Sequence, residues 1–188
     1  IWVEPKAFCD LLTCDYKIIA EKEPTKQSRA GDRVAMVVLD YYTRFIGAYP
    51  AKTRDVNEAY DALRLFCGVE SRPKAVYSDN APEIIAAVRS IGGQSATCTP
   101  HVPSTNGAAE NCVRKVTEGT ACALEQSGLS YQWWSTAMRC YTYLRNVSDR
   151  MCHGTTPYQK QIPVGMENRV ADNIGLSSHH SQTNCEFN

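Results

Sequence analysis

Runs of apolar residues change period from one segment of this chain to the next, and the changes mark its elements. Residues 8 to 19 mix Phe, Leu, Ile and Tyr with polar side chains, which predicts one interrupted strand. Residues 21 to 33 (EKEPTKQSRAGDR) are charged and carry Pro and Gly, the composition of a solvated loop. Val34 to Leu39 is a continuous apolar run of strand length, as expected of a strand buried on both faces. Asp40 to Arg44 turns the chain and Phe45 to Tyr49 returns, so the two runs predict an antiparallel hairpin. Asp55 then opens a helix, with Glu58 at capping-box spacing. Val56, Ala59, Tyr60, Leu63, Phe66 and Cys67 share its apolar face, and Gly68 ends it.

Shorter elements follow. Lys74 to Ser78 is a strand leading into Asp79, Pro82 to Ile91 a helix stopped by Gly92 and Gly93, and Gln94 to Thr99 a further strand. Thr99 to Gly107 (TPHVPSTNG) is turn-rich. A long helix from about Ala108 to Gln126 carries the stripe Ala109, Val113, Val116, Thr120, Ala123 and Leu124. A second, from about Tyr131 to Val147, carries Trp134, Ala137, Met138, Tyr141 and Leu144. Antiparallel strands first, then strands alternating with helices, imply an α/β fold with a mixed sheet. From about Ile162 to Asn188 the periodicity fades and Ser, Asn, His and Gln dominate, which predicts a poorly ordered tail.

Composition narrows the picture. Of 188 residues 43% are hydrophobic, enough for a real core. Lys plus Arg and Asp plus Glu are 20 each, so net charge alone does not point at nucleic acid. No apolar run is long enough to span a bilayer, and no signal segment opens the chain. Its first residue is Ile1, as expected of an excised domain or fragment. The nine cysteines form no C-x-x-C pair and no zinc quartet, so free thiols acting as small hydrophobes are expected. His179 and His180 are expected to be solvated tail residues.

Three carboxylates stand out by position. Asp79 follows a buried strand, and ligands bind at the carboxyl ends of strands in such sheets. Asp15 sits in the first strand among Leu, Ile and Tyr, where an acid is costly unless paired or metal-bound. Glu110 lies in the first turn of the long helix, facing the positive end of its dipole. Each alone has an ordinary reading, a turn residue or a helix-start acid. Together, two strands and a helix bring hard oxygen ligands to one place, which suits Mg²⁺ or Mn²⁺ rather than zinc. Two such ions about 3.5–4 Å apart clamp the attacking and leaving oxygens of a phosphoryl displacement. No Ser/His/Asp or Cys/His arrangement competes.

From about Phe8 to Pro163 the chain resembles the integrase catalytic core of LTR retrotransposons and retroviruses. VAMVVLDYYTRFIGAYPAKTRD is similar to that family's hairpin and the link to its first helix. VYSDNAPEI is similar to its second-Asp motif and TPHVPSTNGAAENCVRK to its third-carboxylate motif. WWSTAMRCYTYLRN followed by TTPYQ is similar to the segments that close the core.

The resemblance implies a ribonuclease-H-like fold, with three antiparallel strands plus parallel strands and helices on both faces. It implies a core over residues 1–163, a tail over 164–188, and a D,D,E set at Asp15, Asp79 and Glu110. Asp10 stays open as an alternative to Asp15. Asp79 and Glu110 are 31 positions apart, closer than the retroviral spacing. Asn80 is expected to orient Asp79, Asn106 and Gly107 to shape a loop against DNA, and Arg114 to reach a phosphate. The implied activity is DNA strand transfer with double-stranded DNA and further copies of the chain as partners, in the nucleus or in a cytoplasmic particle before nuclear entry. A water-driven nuclease and an inactive, domesticated binding module are the rival readings. The zinc module and the basic C-terminal module that accompany the family's core do not occur in these residues.

Overall fold

In a computed structural model, the described residues are 4–20, 23–68, 70–97, 107–151 and 154–161. Asn106, His101 and the tail over 164–188 lie outside them. Five strands are present: β1 (Leu11–Ile18), β2 (Val34–Asp40), β3 (Ile46–Ala51), β4 (Ala75–Ser78) and β5 (Gln94–Thr97). Five helices accompany them: α1 (Val56–Cys67), α2 (Pro82–Ser90), α3 (Gly107–Ser127), α4 (Trp134–Ser148) and α5 (Pro157–Gln161).

The strands form one sheet in the order β3-β2-β1-β4-β5. β1, β2 and β3 are antiparallel neighbours, and β4 and β5 run parallel to β1. The sheet is thus mixed, three antiparallel strands extended by two parallel ones. Every residue of β2 is buried because the sheet is covered on both faces. On one side Leu12, Cys14, Met36 and Val38 pack with Ala59, Leu63 and Phe66 of α1 and Ile84 and Val88 of α2. On the other Ala35, Val37, Leu39 and Ile46 pack with Cys112 and Val116 of α3 and Trp134 and Met138 of α4. β3 forms one edge and carries Pro50, whose missing N–H an edge strand tolerates.

Local chemistry explains the element ends. The Asp55 carboxylate caps α1, accepting the N–H groups of Asn57 at 2.9 Å and Glu58 at 3.0 Å. Gly68 closes it at φ 85°, its N–H donating to the Arg64 carbonyl. Exposed Val56 is the one member of the expected α1 stripe turned to solvent.

Three expectations need correction. The helix expected from Tyr131 begins as a 3-10 turn over Tyr131–Trp133 and becomes α-helical only at Trp134. The α4 stripe is rotated: Thr142 and Asn146 are buried while Leu144 is 53% exposed. Polar groups displace an apolar one because each is satisfied. Asn146 grips Ile46 of β3, its side-chain oxygen accepting the Ile46 N–H at 3.0 Å and its amide donating to the Ile46 carbonyl at 2.7 Å. Finally, α5 is a helix that the apolar pattern does not announce. Thr156 and Gln159 make a reciprocal capping box at its start, with bonds of 2.9 and 3.2 Å.

Candidate active site

Sheet register sets the first part of the site. β1 pairs in parallel with β4, with Thr13 opposite Tyr77. Asp15 lies two residues further along β1, and Asp79 is the residue that follows β4, so both stand beyond the last paired positions of these two strands, where β4 ends. Strand alternation turns Asp15 away from the face of Leu12 and Cys14 and toward the face covered by α3. α3 packs across β1 and β2, and Glu110 in its first turn lines the same groove as Asp15.

That groove has a volume of about 390 Å³ and is lined by Asp15, Lys17, Glu110, Arg114, Thr117 and Glu118, among others. It runs along the edge of α3 beside β1. Asp79 is not among its lining residues.

Electrostatics report the same neighbourhood. Burial first, then the negative charges of Asp79 and Glu110, push the Asp15 carboxyl above the ordinary carboxylate range, against the N–H of Tyr16 that favours its ionised form. The Cys14 thiol is pushed up by burial and then by the charges of Asp15 and Asp79. Carboxylates that raise one another's pKa in this way form a place for a cation. The donors are all carboxylate oxygens, the hard ligands that Mg²⁺ and Mn²⁺ take. Among the described residues no three acidic, His or Cys groups stand at ligating distance of one point.

Asp10 has a different environment. Its carboxylate accepts the N–H groups of Lys6 and Ala7, each at 2.9 Å, and pairs with the ammonium of Lys74. Burial pushes its pKa up, but the Lys74 contact and the two N–H groups outweigh this and hold the carboxyl below the ordinary range. Both of its oxygens are engaged in fastening the turn before β1 to the start of β4. Asp15, not Asp10, is the N-terminal carboxylate that neighbours Asp79 and Glu110.

The secondary positions are mixed. The Asp79 carboxylate is met by the Ala81 N–H at 3.3 Å, with Asn80 exposed between them, so the backbone rather than Asn80 makes the orienting contact. Gly107 is the exposed first residue of α3. Arg114 does line the groove, but its guanidinium is tied to Glu118 at 3.0 Å and to Asn111 at 2.8 Å. Sequence reasoning overlooked Lys17. It is half-buried in the groove wall, and the two-residue alternation from Asp15 was the signal for it. Trp134 is fully buried with its indole N–H on the Lys26 carbonyl at 3.2 Å, and Trp133 lies under the Arg29 guanidinium at 4.7 Å, so both are structural.

No family model and no curated protein matches the sequence. Solved structures do match the fold. A chain of the simian T-cell lymphotropic virus intasome, determined with PP2A regulatory subunit B56 gamma, superposes with a TM-score of 0.66 at 17% identity over 82% of this chain, which spans 55% of that one. The HTLV-2 integrase catalytic core domain in complex with magnesium, in a trimeric form, gives 0.63 at 14% identity, covering 83% of this chain and 98% of that one. The BIV integrase catalytic core domain gives 0.56 at 15% identity, covering 88% and 99%. Five strands in this order, with helices on both faces, are the ribonuclease-H-like fold of the retroviral integrase catalytic core.

Proposed function

We propose that this chain is a polynucleotidyl-transferase core of integrase type, acting on double-stranded DNA with Mg²⁺ or Mn²⁺ held by Asp15, Asp79 and Glu110. The observation that carries the reading is that Asp15, in the middle of β1, has as charged neighbours both Asp79, at the end of β4, and Glu110, in the first turn of α3. Likeness of fold to integrase cores adds support, including one solved with magnesium.

The parts divide as follows. Asp15 is held on the central strand, opposite Val37 of β2. Asp79 and Glu110 are exposed at the end of β4 and in the first turn of α3, and with Asp15 they would hold the divalent ions. When bound, divalent ions supply activation of a water or a DNA 3′-hydroxyl and charge stabilisation at the departing oxygen. Lys17 and Arg114 line the groove beside these acids and would contact backbone phosphates, holding the DNA in place without reading its sequence. The core extends over residues 1–163, and its substrate joining would need more than one copy of the chain. Its working compartment in this reading is the nucleus, reached from a cytoplasmic particle, and its source a retrotransposon.

Strand joining by the purified chain tests this, using a labelled DNA end with Mg²⁺ or Mn²⁺ beside Asp79→Asn and Glu110→Gln. Joined product that falls at least about a hundredfold in both variants is expected. Cutting without joining, lost in the same variants, would establish a nuclease of the same fold instead. Inactivity in both metals, together with no divalent-ion heat in calorimetry, would refute the metal site itself.

A further inference from the structure

Two cysteines unrelated to the candidate site meet in the core beneath α1. Cys9 lies in the turn before β1, and Cys67 is the last residue of α1. The Cys9 thiol donates to the Cys67 sulfur at 2.9 Å across 58 positions of sequence, and both side chains are buried. Neither arrived there by loose packing. The Cys9 backbone has φ 66°, a left-handed conformation uncommon for any residue but glycine. It is held there by Asp40, which accepts the Cys9 N–H at 3.0 Å, and by the Lys74 N–H, which donates to the Cys9 carbonyl at 2.9 Å. On the other side Phe66 stacks on Phe8 at 5.5 Å, fixing the end of α1 against the same turn. A strained backbone kept by three contacts presents one thiol to another.

We propose that Cys9 and Cys67 are a covalent modification site, a dithiol that exchanges with a low-molecular-weight disulfide to become a protein disulfide. Cys67 is the less covered of the two and sits at the end of a helix, where a local opening exposes it without unfolding the sheet. As a thiolate it attacks one sulfur of the external disulfide, forming a mixed disulfide and releasing the other sulfur as thiolate. Cys9 then gives its proton to solvent and attacks the Cys67 sulfur. The Cys9–Cys67 bond forms and the second external sulfur leaves. Both protein thiols are oxidised, the external disulfide is reduced to two thiols, and the protein loses two hydrogens. Its hydrogen bond to Cys67, and then burial, hold the Cys9 thiol above its ordinary range, so exchange proceeds at the pace of local opening rather than of exposed thiols. The bridge encloses β1, β2, β3 and α1 in one covalent loop.

The full chain bearing Cys122→Ser and Cys140→Ser, which removes its exposed thiols among the described residues, is incubated natively with oxidised glutathione, alkylated and mapped. A linked Cys9–Cys67 peptide, two hydrogens lighter than its free parts, is expected. Tm should rise by about 5 °C or more and fall back on reduction. Cys67→Ala and Cys9→Ser in the same background should lose both signals while keeping the parent's circular dichroism. Recovery of both cysteines alkylated, or arrest at a glutathione adduct of Cys67, overturns the proposal. The parent's peptide map decides the matter alone if either variant misfolds.

Discussion

Asp10 and Asp15 stand on either side of the start of β1, and their surroundings treat their charges in opposite ways. For Asp10 the folded pKa lies below the unfolded one, so its contacts stabilise the protein above about pH 4 and lose that effect as pH falls through the folded value. Asp10→Asn should cost about 1–3 kcal/mol at pH 7 in urea denaturation, with the gap to the parent narrowing at pH 3. For Asp15 the folded pKa lies above the unfolded one, so its ionised form opposes folding at neutral pH. Asp15→Asn should therefore raise Tm at pH 7 in the presence of a chelator while abolishing divalent-ion binding. A lower Tm there would mean that burial and the neighbouring charges do not oppose the ionised Asp15 carboxylate. Asp79 and Glu110 were legible in the sequence because each is marked locally, by a strand end and by a helix start. The choice between Asp10 and Asp15 was not, because Lys74 decides it and Lys74 reaches Asp10 only through the parallel pairing of β1 with β4.

Helix α1 was readable to its caps, because Asp55 and Gly68 act within its own sequence. Helix α4 was not, because its buried side is chosen by β3. Asn146 occupies both hydrogen-bonding groups of Ile46, which have no other outlet toward α4. Asn146→Leu, apolar and of similar size, should still destabilise by about 2–4 kcal/mol, since the Ile46 N–H and carbonyl would be left buried and unpaired. Thermal unfolding beside Leu144→Asn, at an exposed position of the same helix, checks this. The latter should change stability by under about 0.5 kcal/mol. Where α3 crosses α4, Gly119 lies under the Tyr141 ring, and a Cβ built on it would come within 2.1 Å of that ring. Ala is favoured over Gly in a helix by about 1 kcal/mol, yet Gly119→Ala should lower Tm, because overpacking of this kind costs about 1–3 kcal/mol.

At the scale of the whole molecule, the strand order makes the site. β1 is central, antiparallel to β2 and parallel to β4, and only that arrangement sets Asp15 level with the end of β4. The hairpin and the helical alternation predicted a mixed sheet, but the sequence pattern holds no signal for register. Net charge is zero, so affinity for DNA would rest on a few local cations and depend only shallowly on salt. Lys17→Met should weaken DNA binding equally across sequences and reduce the slope of log affinity against log salt by about one. An unchanged slope, measured by fluorescence anisotropy, would remove Lys17 from the phosphate contacts.

Pro50 reaches further than its own strand. It interrupts the donor row on the outer side of β3, and at the opposite edge the described part of β5 is Gln94–Thr97. The β3 border therefore offers a broken ladder to another chain, one of the devices by which an edge strand resists extension into a larger sheet.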